Sequence, residues 1–351
     1  MPVSSTVATT STVATTSTVA TTASVPDAEL DSALAALQAS GMDGVVAYSR
    51  RGGPVAVAEF GSYLDDDVKP EDVLVDIGSI TKTVTGVLVA FAVDDGLLRL
   101  DETLGDVFPS APPDKAAITM LQLLTHDAAL PDSVGDDAEV LSRNAFLERV
   151  FGTPLKGGPG EGYDYSNVGF SVLAAVLEER TGRSYDQYLQ EVLAGASVGD
   201  IGYDAVYDEA RSARAVDGRS VREASWGGHA ASWNLIGNGG LVASPTAIVE
   251  LRRAVTGGRL LSDQMTRAAQ RPYLPEGDGA TSSYGFGLVV DEVPGLGALY
   301  WHDGGNDVFS AFWGDLPEQG DVIFVATTDS ELGDASTALD VLVDKLYRPA
   351  G

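Results

Sequence analysis

The apolar positions of this chain alternate between helical spacing and short continuous runs, and their order sketches an architecture. Leu30, Leu34 and Leu37 share one face between Pro26-Asp27 and Gly41, which predicts a helix over Asp27 to Ser40. Gly44 to Tyr48 and Pro54 to Phe60 are apolar runs flanking Ser49-Arg50-Arg51-Gly52-Gly53, the pattern of a hairpin. The stretch from Val75 to Val93 carries Val84, Val87, Leu88, Val89, Phe91 and Ala92, and predicts a helix buried on most sides that ends near Asp94-Asp95-Gly96. Strand signal is then sparse to residue 240. Helical spacing returns at Met120 to Thr125, Glu139 to Val150, Val168 to Arg180 and Ser184 to Leu193, and at Pro245 to Thr256 with Ser244 as cap. Glycine-separated strand runs follow at Tyr284 to Val290, Leu299 to Trp301, Val308 to Trp313 and Val322 to Thr327, and a last helix at Ala335 to Leu346.

Strands at both ends and helices between them imply an α+β arrangement, one antiparallel sheet flanked by terminal helices with an all-helical lobe inserted. One domain is expected over 26–351, its α/β lobe at about 26–96 and 240–351 and its helical lobe at about 97–239, with a cleft between the lobes as the place for a site. Residues 1–25 differ in kind. Ser-Thr-Val-Ala-Thr-Thr occurs three times in succession, at 5–10, 11–16 and 17–22, and is expected to be a disordered tail with no part in the chemistry.

Charge and composition narrow the function classes. At 351 residues the chain can bury a large core. A formal net charge of −29 excludes nucleic acid and anionic membrane surfaces as natural partners. Lysine is confined to Lys69, Lys82, Lys115, Lys156 and Lys345, the balance expected of a salt-adapted source, or simply of an acidic protein. Without cysteine there is no disulfide, thiol nucleophile or thiolate metal site. No apolar run has the length of a membrane span, and the start lacks the basic and apolar regions of a signal peptide, so a cytoplasmic place is favoured with secretion as the alternative. No pattern specifies an oligomeric state.

Three short segments carry candidate chemistry. Ser79 and Lys82, three apart at the head of the apolar helix, lie on one face of it. A serine hydroxyl becomes a nucleophile when a nearby amine of lowered pKa takes its proton, and the free N–H groups of a helix start can receive an oxyanion. Alternatively, such a serine simply caps its helix. Tyr163-Asp164-Tyr165-Ser166-Asn167 follows a Gly/Pro-rich loop and precedes a helix. A tyrosine there can ionise if Lys82 lies beside it, and Asn167 can bind a substrate carbonyl, or the segment is an ordinary helix start with aromatic packing. Trp301-His302-Asp303-Gly304-Gly305-Asn306 is expected between two late strands, with His302 as a general acid/base or hydrogen-bond donor and Gly304 and Gly305 opening a strand edge to a ligand. Otherwise it is a turn with a partly buried histidine.

Together, in this order and at these separations, Ser79-x-x-Lys82, Tyr165-Ser166-Asn167 and His302-x-Gly304 resemble the signatures of the serine β-lactamase and penicillin-binding-protein superfamily. Tyr-x-Asn and His-x-Gly resemble its class C-like branch, which includes class C β-lactamases, D-alanyl-D-alanine carboxypeptidases, D-aminopeptidases and the family VIII carboxylesterases. Ile118 to Leu130 and Gly237 to Ser244 are similar to further family segments, and the resemblance runs from about residue 27 to the end. It implies the β-lactamase/transpeptidase-like fold and acyl transfer through Ser79, with Lys82 and Tyr165 sharing the base role, the N–H groups of Ser79 and Gly305 as oxyanion hole, His302 in the place of a lysine, and no metal or cofactor. Two positions depart from the family pattern. Asp127-Ala128-Ala129 replaces a Thr-Ser-Gly, and Asp303 replaces a hydroxyl that helps hold a substrate carboxylate. An aspartate facing the cleft would repel that carboxylate by about 1–4 kcal/mol, though strand alternation can turn it away. The expected substrate is therefore a small ester, or an amide, without a carboxylate. β-Lactams and D-peptides are the alternative, and a non-catalytic binding protein is a further one.

Overall fold

A computed structural model describes residues 28–61, 68–329 and 333–347. The repeat-bearing tail expected over 1–25 lies outside the described residues. In chain order the elements are α1 (Ala28–Ser40), β1 (Gly44–Ser49), β2 (Val55–Phe60), β3 (Val75–Asp76), a 3₁₀ turn (Gly78–Ile80) and α2 (Thr81–Asp94). Then come α3 (Leu104–Val107), α4 (Met120–Leu124), α5 (Arg143–Gly152), α6 (Asn167–Thr181), α7 (Tyr185–Gly195), β4 (Ile201–Gly202), α8 (Val221–Ser225), β5 (Val242–Ala243) and α9 (Pro245–Thr256). The last are α10 (Asp263–Ala269), β6 (Leu274–Pro275), β7 (Ser283–Tyr284), β8 (Val289–Val293), β9 (Gly297–Gly305), β10 (Ser310–Leu316), β11 (Asp321–Thr327) and α11 (Ala335–Tyr347).

Among the described residues the large sheet has eight strands in the order β2-β1-β11-β10-β9-β8-β7-β6, every pairing antiparallel. The two ends of the chain meet in it, Val46 of β1 opposite Val325 of β11. Both faces of its centre are covered, which is why β1 and β11 read as unbroken apolar runs rather than alternating ones. Val46, Tyr48, Phe312, Ile323 and Val325 pack under α1 and α11, while Val45, Ala47, Trp313, Phe324 and Ala326 join the larger core with α2, α6, α7 and α9. A small sheet, β3-β5-β4, anchors the strand that leads into the 3₁₀ turn.

Four expectations change. The helix expected from Glu139 begins at Arg143, capped by Ser142. Glu139 instead forms an ion pair with Arg149 on that helix. The single strand expected over Tyr284 to Val290 is two strands, β7 and β8, joined by a tight turn in which Gly285 N–H donates to Leu288 O (2.8 Å) and Gly287 has φ +69°. That turn lies against α2, where Thr83 Oγ1 donates to Gly287 O (2.6 Å). The segment around His302, expected between strands, is part of β9, which runs on through Gly305. Finally, Ser244 occupies the cap position of α9 without a side-chain cap bond.

Two glycines with the same backbone angle separate close packing from conformation. A Cβ on Gly287 would lie 2.1 Å from Lys82 O, whereas one on Gly182 (φ +68°) meets nothing within 4 Å. Gly182→Ala should cost about 1 kcal/mol of stability, the strain of a left-handed alanine, and Gly287→Ala about 3 kcal/mol or more, as urea unfolding midpoints would report.

Candidate active site

The site starts from a turn, not from a helix end. Gly78 has φ +49°, a conformation open to glycine, and it lifts the chain from β3 into the 3₁₀ turn that carries Ser79. Ser79 does not cap α2: the cap position is Ile80 and no side chain bonds there. Its hydroxyl faces Lys82 instead, one turn on, as the spacing predicts. Lys82 Nζ donates to Ser79 Oγ (2.9 Å) and to Asn238 O (2.9 Å). Asn238 is itself fixed, its amide donating to Ser171 Oγ and Asn234 O.

Lys82 is fully buried. Burial pushes its amine down to about 7, against the pull of Asp132, Asp137 and Asp303, whose charges favour the ammonium. Tyr165 lies beside it, with Lys82 Nζ 4.8 Å from the ring centre. The lysine that the sequence requires for ionisation of this phenol is therefore in place, but the phenol's surroundings favour the neutral form. Burial pushes its pKa up, the charges of Asp303, Asp132 and Glu276 add to this, and only a hydrogen bond from Ser79 opposes them.

Ser79, Tyr165, Glu276, Asp303, Gly304 and Gly305 line one cavity of about 330 Å³, together with aromatic walls from Tyr163, Tyr284, Trp301 and His302. The end of β9 is pressed against the serine turn, backbone to backbone. A Cβ on Gly304 would fall 2.3 Å from Ser79 N, and one on Gly78 2.2 Å from Gly305 N. This contact brings the backbones around Ser79 and Gly305, both of which line the cavity, against each other.

His302 lines the cavity but has both nitrogens engaged. Nδ1 faces Asp303 O, which can only accept, so Nδ1 carries the proton and Nε2 accepts from Tyr284 OH (2.9 Å). Burial, then the nearby Lys82, pushes its pKa down to about 4. Of the two roles that the sequence allows it, acid/base or hydrogen-bond partner, this geometry favours a neutral ring that holds Tyr284 in place. Asn167 does not line the cavity wall with Ser79; its amide donates to Asp132 (3.2 Å). Asp303 pairs across the sheet with Phe312, on the face opposite His302, yet its carboxylate returns to 3.7 Å from His302 Nδ1 and stands exposed at the cavity mouth.

Sequence reasoning missed several residues that shape the site. His126 accepts from the N–H of Ser166 through Nδ1 (3.1 Å) and from Asp164 N–H through its carbonyl (2.7 Å), clamping both sides of Tyr165. Glu276 is held by hydroxyl donors from Ser282 (2.6 Å) and Tyr163 (3.4 Å). Asp132 and Asp137 lie in no segment that the sequence marks. His126 lies inside Ile118 to Leu130, Asn238 inside Gly237 to Ser244 and Asp76 just ahead of the Ser79 motif, but nothing local singles these residues out. Among the described residues no group of three or more His, Cys, Asp or Glu is placed to hold a metal ion, and no helix is long and apolar enough to cross a membrane.

Comparison with known proteins agrees with this geometry. The Beta-lactamase family model matches residues 30–346. Penicillin-binding protein 4* of Bacillus subtilis (strain 168) is 24% identical over 257 residues, 66% of this chain and 55% of its own length, so the chain spans about half of that relative. Among solved structures, a penicillin-binding protein from Bacillus halodurans is similar with a TM-score of 0.73 at 21% identity, covering 88% of this chain and 98% of that one. A D-amino acid amidase from Ochrobactrum anthropi SV3, solved with L-phenylalanine amide, is similar with a TM-score of 0.75 at 20% identity, covering 92% and 99%. Over nearly all of its described length, this chain belongs to the Beta-lactamase family.

Proposed function

We propose that the chain is an acyl hydrolase that forms an acyl-enzyme at Ser79, most readily from small carboxylic esters. The observation that carries the reading is the 2.9 Å contact between Ser79 Oγ and a buried amine held near 7. An amine of that pKa is half neutral at neutral pH, and its lone pair can accept the serine proton. In the first step Ser79 Oγ attacks the acyl carbon while Lys82 Nζ takes the proton. The amides of Ser79 and Gly305 receive the negative charge on the carbonyl oxygen. Tyr165, held as a neutral phenol, hands a proton to the departing alkoxide and is resupplied by Lys82. Water then attacks the acyl carbon, Lys82 takes its proton, and Ser79 leaves with the proton returned.

Substrate choice follows from the cavity mouth. Asp303 and Glu276 both line it. A ligand carboxylate within a few ångströms of either is disfavoured by about 1–4 kcal/mol, which argues against β-lactams and D-alanyl peptides. A second reading is favoured by Glu276, whose fixed carboxylate suits a protonated amine. On that reading the substrates are amino-acid amides, the class named for the similar amidase.

The deciding measurement is turnover of p-nitrophenyl butyrate, nitrocefin and D-phenylalanine p-nitroanilide side by side, with Ser79→Ala as control. The ester should be cleaved and the activity lost in the control, with nitrocefin at least about tenfold poorer in kcat/KM, the equivalent of about 1.4 kcal/mol. Cleavage of the anilide ahead of the ester supports the second reading, comparable turnover of nitrocefin removes the role given to Asp303, and inertness toward all three leaves a binding protein. Asp303→Asn should raise nitrocefin relative to butyrate by about tenfold.

The pH profile tests Lys82 separately. The neutral amine is the base, so kcat/KM for the ester should rise with pH through a midpoint near 7, where Lys82 loses its proton. A profile flat from pH 5.5 to 9 would remove Lys82 from the base role.

A further inference from the structure

We infer that Asp76 is the positioning residue that aligns the two oxyanion-binding amides with each other. Asp76 is buried, with only 2% of its surface exposed, and its carboxylate binds the neighbours of both amides at once. Oδ1 accepts from Gly78 N–H (2.7 Å), the residue before Ser79. Oδ2 accepts from Asn306 Nδ2 (3.0 Å), the residue after Gly305, and from Ser225 Oγ of α8. Asn306 Nδ2 also donates to Ser225 Oγ (2.9 Å), which closes a triangle. On its other side Asn306 Oδ1 accepts from the N–H groups of Val308 and Phe309 (both 2.9 Å) and so holds the β9–β10 turn in shape.

The chemistry of this carboxylate argues for a task beyond packing. Burial pushes its pKa up, and the groups that oppose this are the Ser225 and Gly78 hydrogen bonds, not a cation. A buried charge balanced only by neutral donors is costly, and a neutral side chain would fill the space more cheaply. What a neutral side chain cannot supply is two acceptor oxygens facing three donors. Those donors belong to the serine turn, to the residue that follows β9 and to α8, and the first two of these pieces carry Ser79 and Gly305 at the cavity wall. The serine turn and β9 already touch through Gly78 and Gly304. That contact fixes how close they come, and Asp76 fixes how they are aligned along each other. Preorganised donors lose much of their effect when displaced by a fraction of an ångström.

The inference rests on the proposed oxyanion role of Ser79 and Gly305, and a donor–acceptor exchange tests it. In Asp76→Asn an amide NH₂ replaces Oδ2 and confronts the donors of Asn306 and Ser225. In Asn306→Asp two carboxylates confront each other, while the acceptor for Val308 and Phe309 is kept. The double variant Asp76→Asn/Asn306→Asp restores one donor facing one acceptor. With p-nitrophenyl butyrate, each single variant should lose about 10- to 1,000-fold in kcat, up to the loss seen for removal of an oxyanion donor, with KM within about threefold. The double variant should recover kcat at least about tenfold above the poorer single. Urea midpoints are recorded in parallel, and Asn306→Ser, at an exposed position, breaks the same bond should Asp76→Asn not fold. Unchanged kcat in the singles, losses that appear in KM, or losses the exchange does not recover would overturn the inference. Activity surviving in Ser79→Ala would instead overturn the acyl-enzyme reading on which it rests.

Discussion

The serine turn and the end of β9 pack without a side chain between them, and the rest of the site depends on that contact. A Cβ on Gly78 or on Gly304 would overlap the other segment's backbone by more than an ångström, so neither position admits another residue without moving the strand. The sheet supplies the rigidity. β9 lies between β8 and β10, several strands in from either edge, and β10 is paired in turn with the buried β11. The turn gains its rigidity from the loop before α9: Ile77 N–H donates to Leu241 O, and Leu241 N–H to Thr81 Oγ1. The same loop presents the Asn238 carbonyl to Lys82. Backbone geometry at Ser79 and hydrogen bonding at Lys82 therefore come from one structural unit.

Around that contact the electrostatics are a balance rather than a pairing. Lys82 Nζ bonds a hydroxyl and a carbonyl, and the carboxylates of Asp132, Asp137 and Asp303 act on it through space. A direct ion pair would keep the amine protonated and useless as a base at neutral pH. Burial with no acid nearby would drive its pKa far lower, giving a neutral but feeble base. Acids near the amine but not in contact leave it near 7, where the amount of free base and its strength are both useful. His126 and His302, both buried, are pushed further toward neutrality by the same lysine. The aromatic wall therefore carries no competing cation, and Lys82 is the positive centre of this part of the site.

How much of this was legible in the sequence depended on how local the cause is. The Ser79–Lys82 contact was, because helical geometry alone joins residues three apart. The sheet from both chain ends was, because strands covered on both faces read as continuous apolar runs. The β7–β8 hairpin was hidden because its turn, Gly285-Phe286-Gly287-Leu288, is itself apolar. It packs against α2 instead of meeting water, so it lacks the polar residues that announce a turn. The extension of β9 through Asp303-Gly304-Gly305 was hidden for the opposite reason: glycines that mark a loop in most sequences are here what lets a strand approach the serine turn. The protonation states of Tyr165 and His302 were not legible either. Both depend first on burial, and then on charges distant in sequence that the fold brings together: Asp303, Asp132 and Glu276 for Tyr165, and Lys82 for His302.

On the acyl-hydrolase reading proposed above, selectivity falls to the rim, because the backbone contact and the buried amine would serve any acyl group. The chain's net charge of −29 is a weak selector in itself. At physiological salt its field is screened over about 8 Å, and every anion is repelled alike. Glu276 and Asp303 line the same cavity as Ser79, so they act on a ligand at close range. Glu276 is the stricter of the two, since Ser282 and Tyr163 hold it in place while Asp303 is exposed and can swing with its ligand. A rim of this kind discriminates by where a substrate carries its charge, not by how much it carries. An ester whose anionic group trails into solvent would pass, while one with a carboxylate next to the scissile bond would not.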